Sequence, residues 1–223
     1  MTLPTPARRF DLIAFDWDGT LSDSTALIAR CIQQAVADVG GTVPTMQVAS
    51  HVIGLGLTQA LAHAAPDVPA EKHALLADRY REHYFAHQHN LSLFPGVLEL
   101  LHSLRERGYL LAVATGKSRH GLDEALKNVA LQGMFHTTRT ADQTRGKPHP
   151  QMLHEIFEEL AVDPARTLMV GDTTHDLELA RNAACASAAV TYGAHPPDAF
   201  AALGPLCIVD SVPQLHDWIT RNG

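Results

Sequence analysis

Leu12-Ile13-Ala14-Phe15-Asp16-Trp17-Asp18-Gly19-Thr20 is the stretch on which the reading of the fold turns. Four apolar residues in a row suit a strand buried on both faces, and the run stops at two carboxylates and an Asp-Gly turn. The stretch therefore reads as a strand whose carboxyl end opens into a polar loop. Two later apolar runs end the same way. Residues 109–114 lead into Thr115-Gly116-Lys117, and residues 167–170 lead into Gly171-Asp172-Thr173-Thr174-His175-Asp176.

Helical patterns separate these runs. Behind Ser22, Asp23 and Ser24, apolar residues recur at Ile28, Ile32, Ala35 and Val39 until Gly40-Gly41 stops the helix. Further helices are expected at 46–53, 58–65 and 70–88, with no strand among them. Strand–helix alternation resumes after Phe94-Pro95-Gly96: helices at 97–107, 122–129, 151–160, to about 184 and 213–221, and short strands near 136–140, 186–190 and 208–209. Repeated strand–helix units imply an α/β fold, a Rossmann-like parallel sheet covered on both faces. The expected division is a catalytic core of residues 1–21 and 91–223 with an all-helical cap inserted at 22–90.

Bulk composition narrows the function. The 223 residues are 46% apolar and 18% charged, which excludes general disorder and leaves ample core. With 17 Lys+Arg against 24 Asp+Glu, the net charge of −7 disfavours nucleic acid or an anionic membrane as a partner. Cys31, Cys185 and Cys207 form no CxxC pair and read as reduced, buried thiols. The opening ten residues lack the apolar stretch of a leader, and no run approaches a membrane span. A cytoplasmic protein is expected.

In an open α/β sheet, ligands bind outside the carboxyl ends of the strands. Asp16, Asp18, Thr115, Asp172 and Asp176 should therefore converge, joined by Lys147 from the loop Gly146-Lys147-Pro148-His149-Pro150. Four crowded carboxylates would repel one another unless a cation sits among them, and an oxygen-only donor set favours Mg²⁺. Lys147 and Thr115 then supply a charge and a hydrogen bond to a phosphoryl group.

The ordered set Asp16-Trp17-Asp18-Gly19-Thr20, Thr115, Lys147-Pro148 and Gly171-Asp172-Thr173-Thr174-His175-Asp176 resembles the haloacid dehalogenase superfamily, most closely its phosphoglycolate phosphatase group. The resemblance spans essentially the whole chain. It implies an Mg²⁺-dependent hydrolase of small phosphate monoesters, with phosphoglycolate the leading substrate and an aspartyl-phosphate intermediate. Asp16 would be the nucleophile and Asp18 the general acid and base. Asp16, the Asp18 carbonyl, Asp172 and Asp176 would hold the metal, while Thr115, Gly116 and Lys147 would bind the phosphoryl group. Asp18 speaks against dehalogenation, because a departing halide needs no proton. A sugar phosphomutase, a nucleotide or sugar phosphatase and a non-enzymatic phospho-acceptor module remain as alternatives. Trp17 replaces a smaller apolar residue and is expected beside the pocket.

Plainer readings stand beside the rest. Asp-Gly-Thr alone is a common turn, and Asp176 suits the first turn of a helix on dipole grounds alone. Lys117, Arg119 and Arg145 read equally well as solvated charges, and His175 as a neighbour of the site. His51 and Gln59, flanking Gly54-Leu55-Gly56, are the candidate cap residues facing the substrate.

Overall fold

Residues 8–223 are described by the computed structural model, apart from the side chains of Asn90 and Val129. Most of the opening stretch read above as too polar for a leader, residues 1–7, lies outside the described residues. Six strands follow in chain order: β1 (Leu12–Phe15), β2 (Leu110–Thr115), β3 (Thr137–Thr140), β4 (Thr167–Gly171), β5 (Ala186–Val190) and β6 (Ile208–Val209). They form one sheet in the order β3-β2-β1-β4-β5-β6. Every pairing is parallel, as the strand–helix alternation implies.

Alternation of side chains across β1 shows why its run is apolar at every position. Ile13 and Phe15 point into a cluster with Leu100, Leu101 and Leu104 of α5 (Val97–Glu106), Leu122 of α6 (Arg119–Leu126) and Leu215 and Ile219 of α9 (Val212–Asn222). Leu12 and Ala14 point the other way, onto Met152, Leu153 and Ile156 of α7 (Gln151–Leu160) and Leu179 and Ala180 of α8 (Thr174–Asn182). A strand covered on both faces leaves no position for a polar side chain until the sheet ends.

Between β1 and α5 the described chain is helical: α1 (Thr25–Asp38), α2 (Met46–His51), α3 (Leu57–Ala64) and α4 (His73–His87). These helices bury an apolar cluster of their own, including Ile32, Val36, Ala49, Leu61 and Leu76, apart from the two clusters on the sheet. The two connections to the sheet run side by side. Ser22 forms an antiparallel bridge with Leu93, and the Phe94 N–H donates to the Leu21 carbonyl at 2.9 Å.

Two helix starts differ from the sequence pattern. The helix expected at 122–129 begins at Arg119, because the Ser118 hydroxyl accepts the Gly121 N–H at 3.2 Å and caps it there. The helix expected at 70–88 opens as a 3₁₀ turn, Ala70–Lys72, before becoming α4.

Candidate active site

β1 is the point where strand order reverses, with β2 on one side and β4 on the other. Loops leaving the strands there diverge and open a crevice. Asp16 is the first residue past β1, and its N–H still donates to Val170 of β4 at 2.9 Å, so its backbone is fixed by the sheet. Its carboxylate is buried, and neither oxygen has a hydrogen bond of proper geometry. Lys147 Nζ lies 2.7 Å from Oδ1, a close charge contact approached off the angle of a directed bond. The same ammonium donates to Asp176 Oδ1 at 2.6 Å, so Lys147, itself fully buried, stands between two carboxylates.

Asp172 arrives at the end of β4. One of its oxygens accepts the Thr20 hydroxyl and the other the Ala194 N–H, both at 2.7 Å. Gly19, in the left-handed region at φ +85°, is what makes room for it. A Cβ there would lie 2.1 Å from Asp172 Oδ2, and a Cβ at Gly193 would meet the same oxygen at 2.1 Å. The Asp-Gly turn of the first motif therefore serves a carboxylate that lies far along the chain. Asp176 occupies the first turn of α8 in a capping box with Thr173, whose hydroxyl donates to Asp176 Oδ2 at 2.7 Å. Helix capping and the contact with Lys147 use different oxygens of one side chain.

One oxygen each from Asp16, Asp172 and Asp176 lies within 4.8 Å of the others, all three buried. Burial pushes the Asp16 carboxyl up to about 7; Lys147 opposes this, and the charges of Asp176 and Asp18 add to it. Burial also drives Asp172 well above the carboxylate range, reinforced by Asp16 and Asp176 and opposed by Ala194 and Thr20. Lys147 loses to burial but gains more from Asp16 and Asp176, so its charge is held firmly. A hard cavity of carboxylate oxygens, with both Asp16 oxygens lacking a directed partner, fits a divalent cation such as Mg²⁺.

Asp18, two residues beyond Asp16, is also buried. Its Oδ1 accepts the hydroxyl of Ser24, which stands at the N-cap position of α1 but is turned away from capping. Lys117 Nζ donates to both Asp18 oxygens, at 3.1 and 3.2 Å, and to the Tyr84 hydroxyl of α4 at 2.8 Å. The reading of Lys117 as a solvated charge is therefore wrong: its side chain is 8% exposed. The missed signal was its position, two residues beyond Thr115 on a strand-end loop. Arg119 instead pairs with Asp123, and Arg145 is exposed.

Thr115 is fully buried, and its hydroxyl accepts the Lys117 N–H at 3.2 Å. Gly116 touches the helical segment backbone to backbone: a Cβ there would lie 2.5 Å from the Gly54 carbonyl oxygen and 2.6 Å from that of Leu55. Beside this contact a cavity of about 500 Å³ opens, reached by Asp16, Asp18, Thr115, Gly116 and Lys117. Gln59 lines it, whereas His51 does not. The His51 ring stacks on His195 at 4.6 Å, and its carbonyl accepts Nε2–H from both His175 (3.0 Å) and His195 (2.9 Å). His175 is thus a neighbour that ties the helical segment to the sheet. Trp17 does not shape the cavity either; it is buried in the core and meets Phe135 edge-on at 6.4 Å.

Comparison with known proteins bears on the family and the fold. The family model described as haloacid dehalogenase-like hydrolase matches residues 13–190. A phosphoglycolate phosphatase from Vibrio vulnificus (strain CMCP6) is 35% identical over 216 residues, covering 92% of this chain and 94% of its own. "Probable phosphatase IndB" from Dickeya dadantii (strain 3937) is 35% identical over 206 residues, covering 90% and 89%. The crystal structure of a predicted phosphoglycolate phosphatase from Haemophilus somnus 129pt shares the fold at TM-score 0.82 and 27% identity, covering 94% of this chain and 97% of that one.

The raised carboxyls have a measurable consequence. Between the usual 3.8 and about 7, the metal-free folded protein holds more protons on Asp16 than the unfolded chain does, and Asp172 acts in the same direction. Stability from these groups is therefore greatest in acid and falls as pH rises through that window. A cation replaces the protons, so its effect has the opposite trend. Saturating Mg²⁺ is expected to raise Tm by several degrees at about pH 8 and hardly at all at about pH 5. Equal shifts at both pH values, read by scanning fluorimetry, would show that cation and protons do not compete.

Proposed function

This chain belongs to the haloacid dehalogenase-like hydrolases, and from that premise we propose that it hydrolyses phosphate monoesters through an aspartyl-phosphate on Asp16, with Mg²⁺ as its metal. The observation that carries the reading is the state of Asp16. Its carboxylate is buried on the lining of a cavity, without directed hydrogen bonds and with Lys147 at 2.7 Å. Such an oxygen keeps its lone pairs free for attack, while the ammonium offsets charge on the incoming phosphoryl group.

In the proposed cycle an Asp16 oxygen attacks phosphorus, and the bond from phosphorus to the ester oxygen breaks. Asp18, which lines the same cavity, gives its proton to the leaving alkoxide. It then takes a proton from the water that attacks the aspartyl-phosphate, which returns Asp16 and releases inorganic phosphate. The Thr115 hydroxyl and the Gly116 N–H bind phosphoryl oxygens, and Lys147 offsets their charge. Mg²⁺ would be held by the Asp16 and Asp172 carboxylates, the Asp18 carbonyl and Asp176, and would supply Lewis-acid charge at the phosphoryl group.

Residues 22–90 act in this reading as a cap that closes over the substrate, with residues 1–21 and 91–223 as the catalytic core. Closure excludes water while the first bond breaks. The names of the relatives make phosphoglycolate the reference substrate for assays. The protein is read as cytoplasmic, acting on a small phosphorylated metabolite; no helix among the described residues is long and apolar enough to cross a membrane.

Asp16→Asn retains shape and removes the nucleophile. Its activity on p-nitrophenyl phosphate with Mg²⁺ is expected to fall to the uncatalysed background, while its Tm in metal-free buffer equals or exceeds that of the parent, because a costly buried charge is gone. Substantial turnover by the folded variant would assign the nucleophile elsewhere. Gly116→Ala tests closure. A methyl group forced against the Gly54 and Leu55 carbonyls should hold the segments apart and lower kcat/KM by about a hundredfold with the far-UV circular dichroism unchanged. Parent-like kinetics would mean that this contact plays no part in turnover.

A further inference from the structure

The cavity beside Asp16 is large for an enzyme whose leaving group is glycolate, and its helical side is apolar. At about 500 Å³ it falls in the size range of pockets that enclose drug-sized molecules. Glycolate adds only two carbons beyond the ester oxygen and would leave most of that volume unfilled. The apolar walls come from the helical segment, with Ile28 and Ile32 of α1, Val52 and Ile53 after α2, and Tyr80 and Phe85 of α4, while the sheet side adds polar groups such as Ser118, His120 and Asp142. All four aliphatic side chains are buried. Along α4 the Tyr80 and Tyr84 rings stack at 5.9 Å, and Phe85 meets His120 edge-on at 5.7 Å, forming an aromatic border to the cavity.

Charge placement points the same way. A carboxylate on the leaving group would need a cation, and the lining residues include two. Arg81 is bonded to Asp78 at 2.7 Å and half exposed. Lys117 is buried and divided between the two oxygens of Asp18 and the Tyr84 hydroxyl, with its ammonium 4.7 Å from the Tyr84 ring centroid. A second anion could recruit Lys117 only by drawing its ammonium away from the Asp18 oxygens and the Tyr84 hydroxyl that already hold it.

We propose that the preferred substrate is the phosphate monoester of an uncharged, largely apolar alcohol, with a long alkyl or aromatic body that fills this cavity. The proposal rests on the phosphate-monoesterase reading above and specifies the leaving group. Each methylene that enters the cavity gives up its contact with water, and the gain is realised in the transition state as well as in the bound complex.

The test compares ethyl, butyl, hexyl and phenylpropyl phosphates with phosphoglycolate, using the full chain with Mg²⁺ and phosphate release as the readout. The four alcohols are closely matched as leaving groups, so differences among them report the cavity and not the chemistry. From ethyl to hexyl, kcat/KM is expected to rise about threefold per methylene. Hexyl and phenylpropyl phosphates are expected to exceed phosphoglycolate by about tenfold or more. Ile32→Gln, which places an amide in the wall, should flatten the chain-length slope. A flat or falling series, or phosphoglycolate equal to or better than the hexyl ester, overturns the proposal and leaves the monoesterase reading standing. If none of the five esters is hydrolysed, that reading fails and the proposal fails with it.

Discussion

Crowding of buried negative charge is the constraint around which the site is arranged. Asp16, Asp172 and Asp176 place oxygens within 4.8 Å of one another, and Asp18 is buried close by. At an effective dielectric constant of about 20, each like-charge pair at that range costs about 3 kcal/mol. Three such pairs rival the whole stability of an ordinary domain, about 5–15 kcal/mol. The cluster can persist only if protons, cations or donors offset it. The chain supplies Lys147 between Asp16 and Asp176, the Thr20 hydroxyl and Ala194 N–H on Asp172, and the Thr173 hydroxyl on Asp176. The remaining imbalance falls on Asp16, whose oxygens lack a directed hydrogen bond, and on Asp172, which burial and its neighbours drive well above the carboxylate range, so a divalent cation between them suits the electrostatics best.

The two sides of the site are anchored differently. Asp16, Asp172, Asp176 and Lys147 are held by the sheet, its loops and the start of α8, all parts of one packed unit. Asp18 is held by Ser24 at the start of α1 and by Lys117, which is itself bonded to Tyr84 of α4. Asp18, which lines the cavity, thus takes its orientation from contacts that run into the helical segment. The same segment meets the sheet at Gly116, where only hydrogen separates backbone from backbone, and at His51, whose carbonyl receives two imidazole donors. Burial pushes His195 down to about 4, and its Nδ1 accepts the Thr174 N–H, so near neutral pH the ring is uncharged with Nε2 as the donor.

By itself the sequence determined the sheet, the ends of its strands and the composition of the site. Strands buried on both faces must be uniformly apolar, so Asp16, Thr115 and Asp172 announce the sheet's carboxyl edge wherever such a run stops. Lys147 was legible from its loop before a helix, and Asp176 from its place in a helix's first turn. Local periodicity carries all of this. Tertiary structure alone decided the partnerships. Thr20 serves Asp172 across 152 positions, Lys117 reaches back 99 to Asp18, and Gly193 borders Asp172 from a loop with no motif of its own. It also turned Trp17 into the core, where the alternation of β1 and the turn after it direct the ring, and sent His51 to the histidines beside α8. Such contacts follow from strand order and from how four helices fold over a sheet edge. Neither leaves a period in the sequence, because which distant side chains meet is decided by packing and not by spacing along the chain.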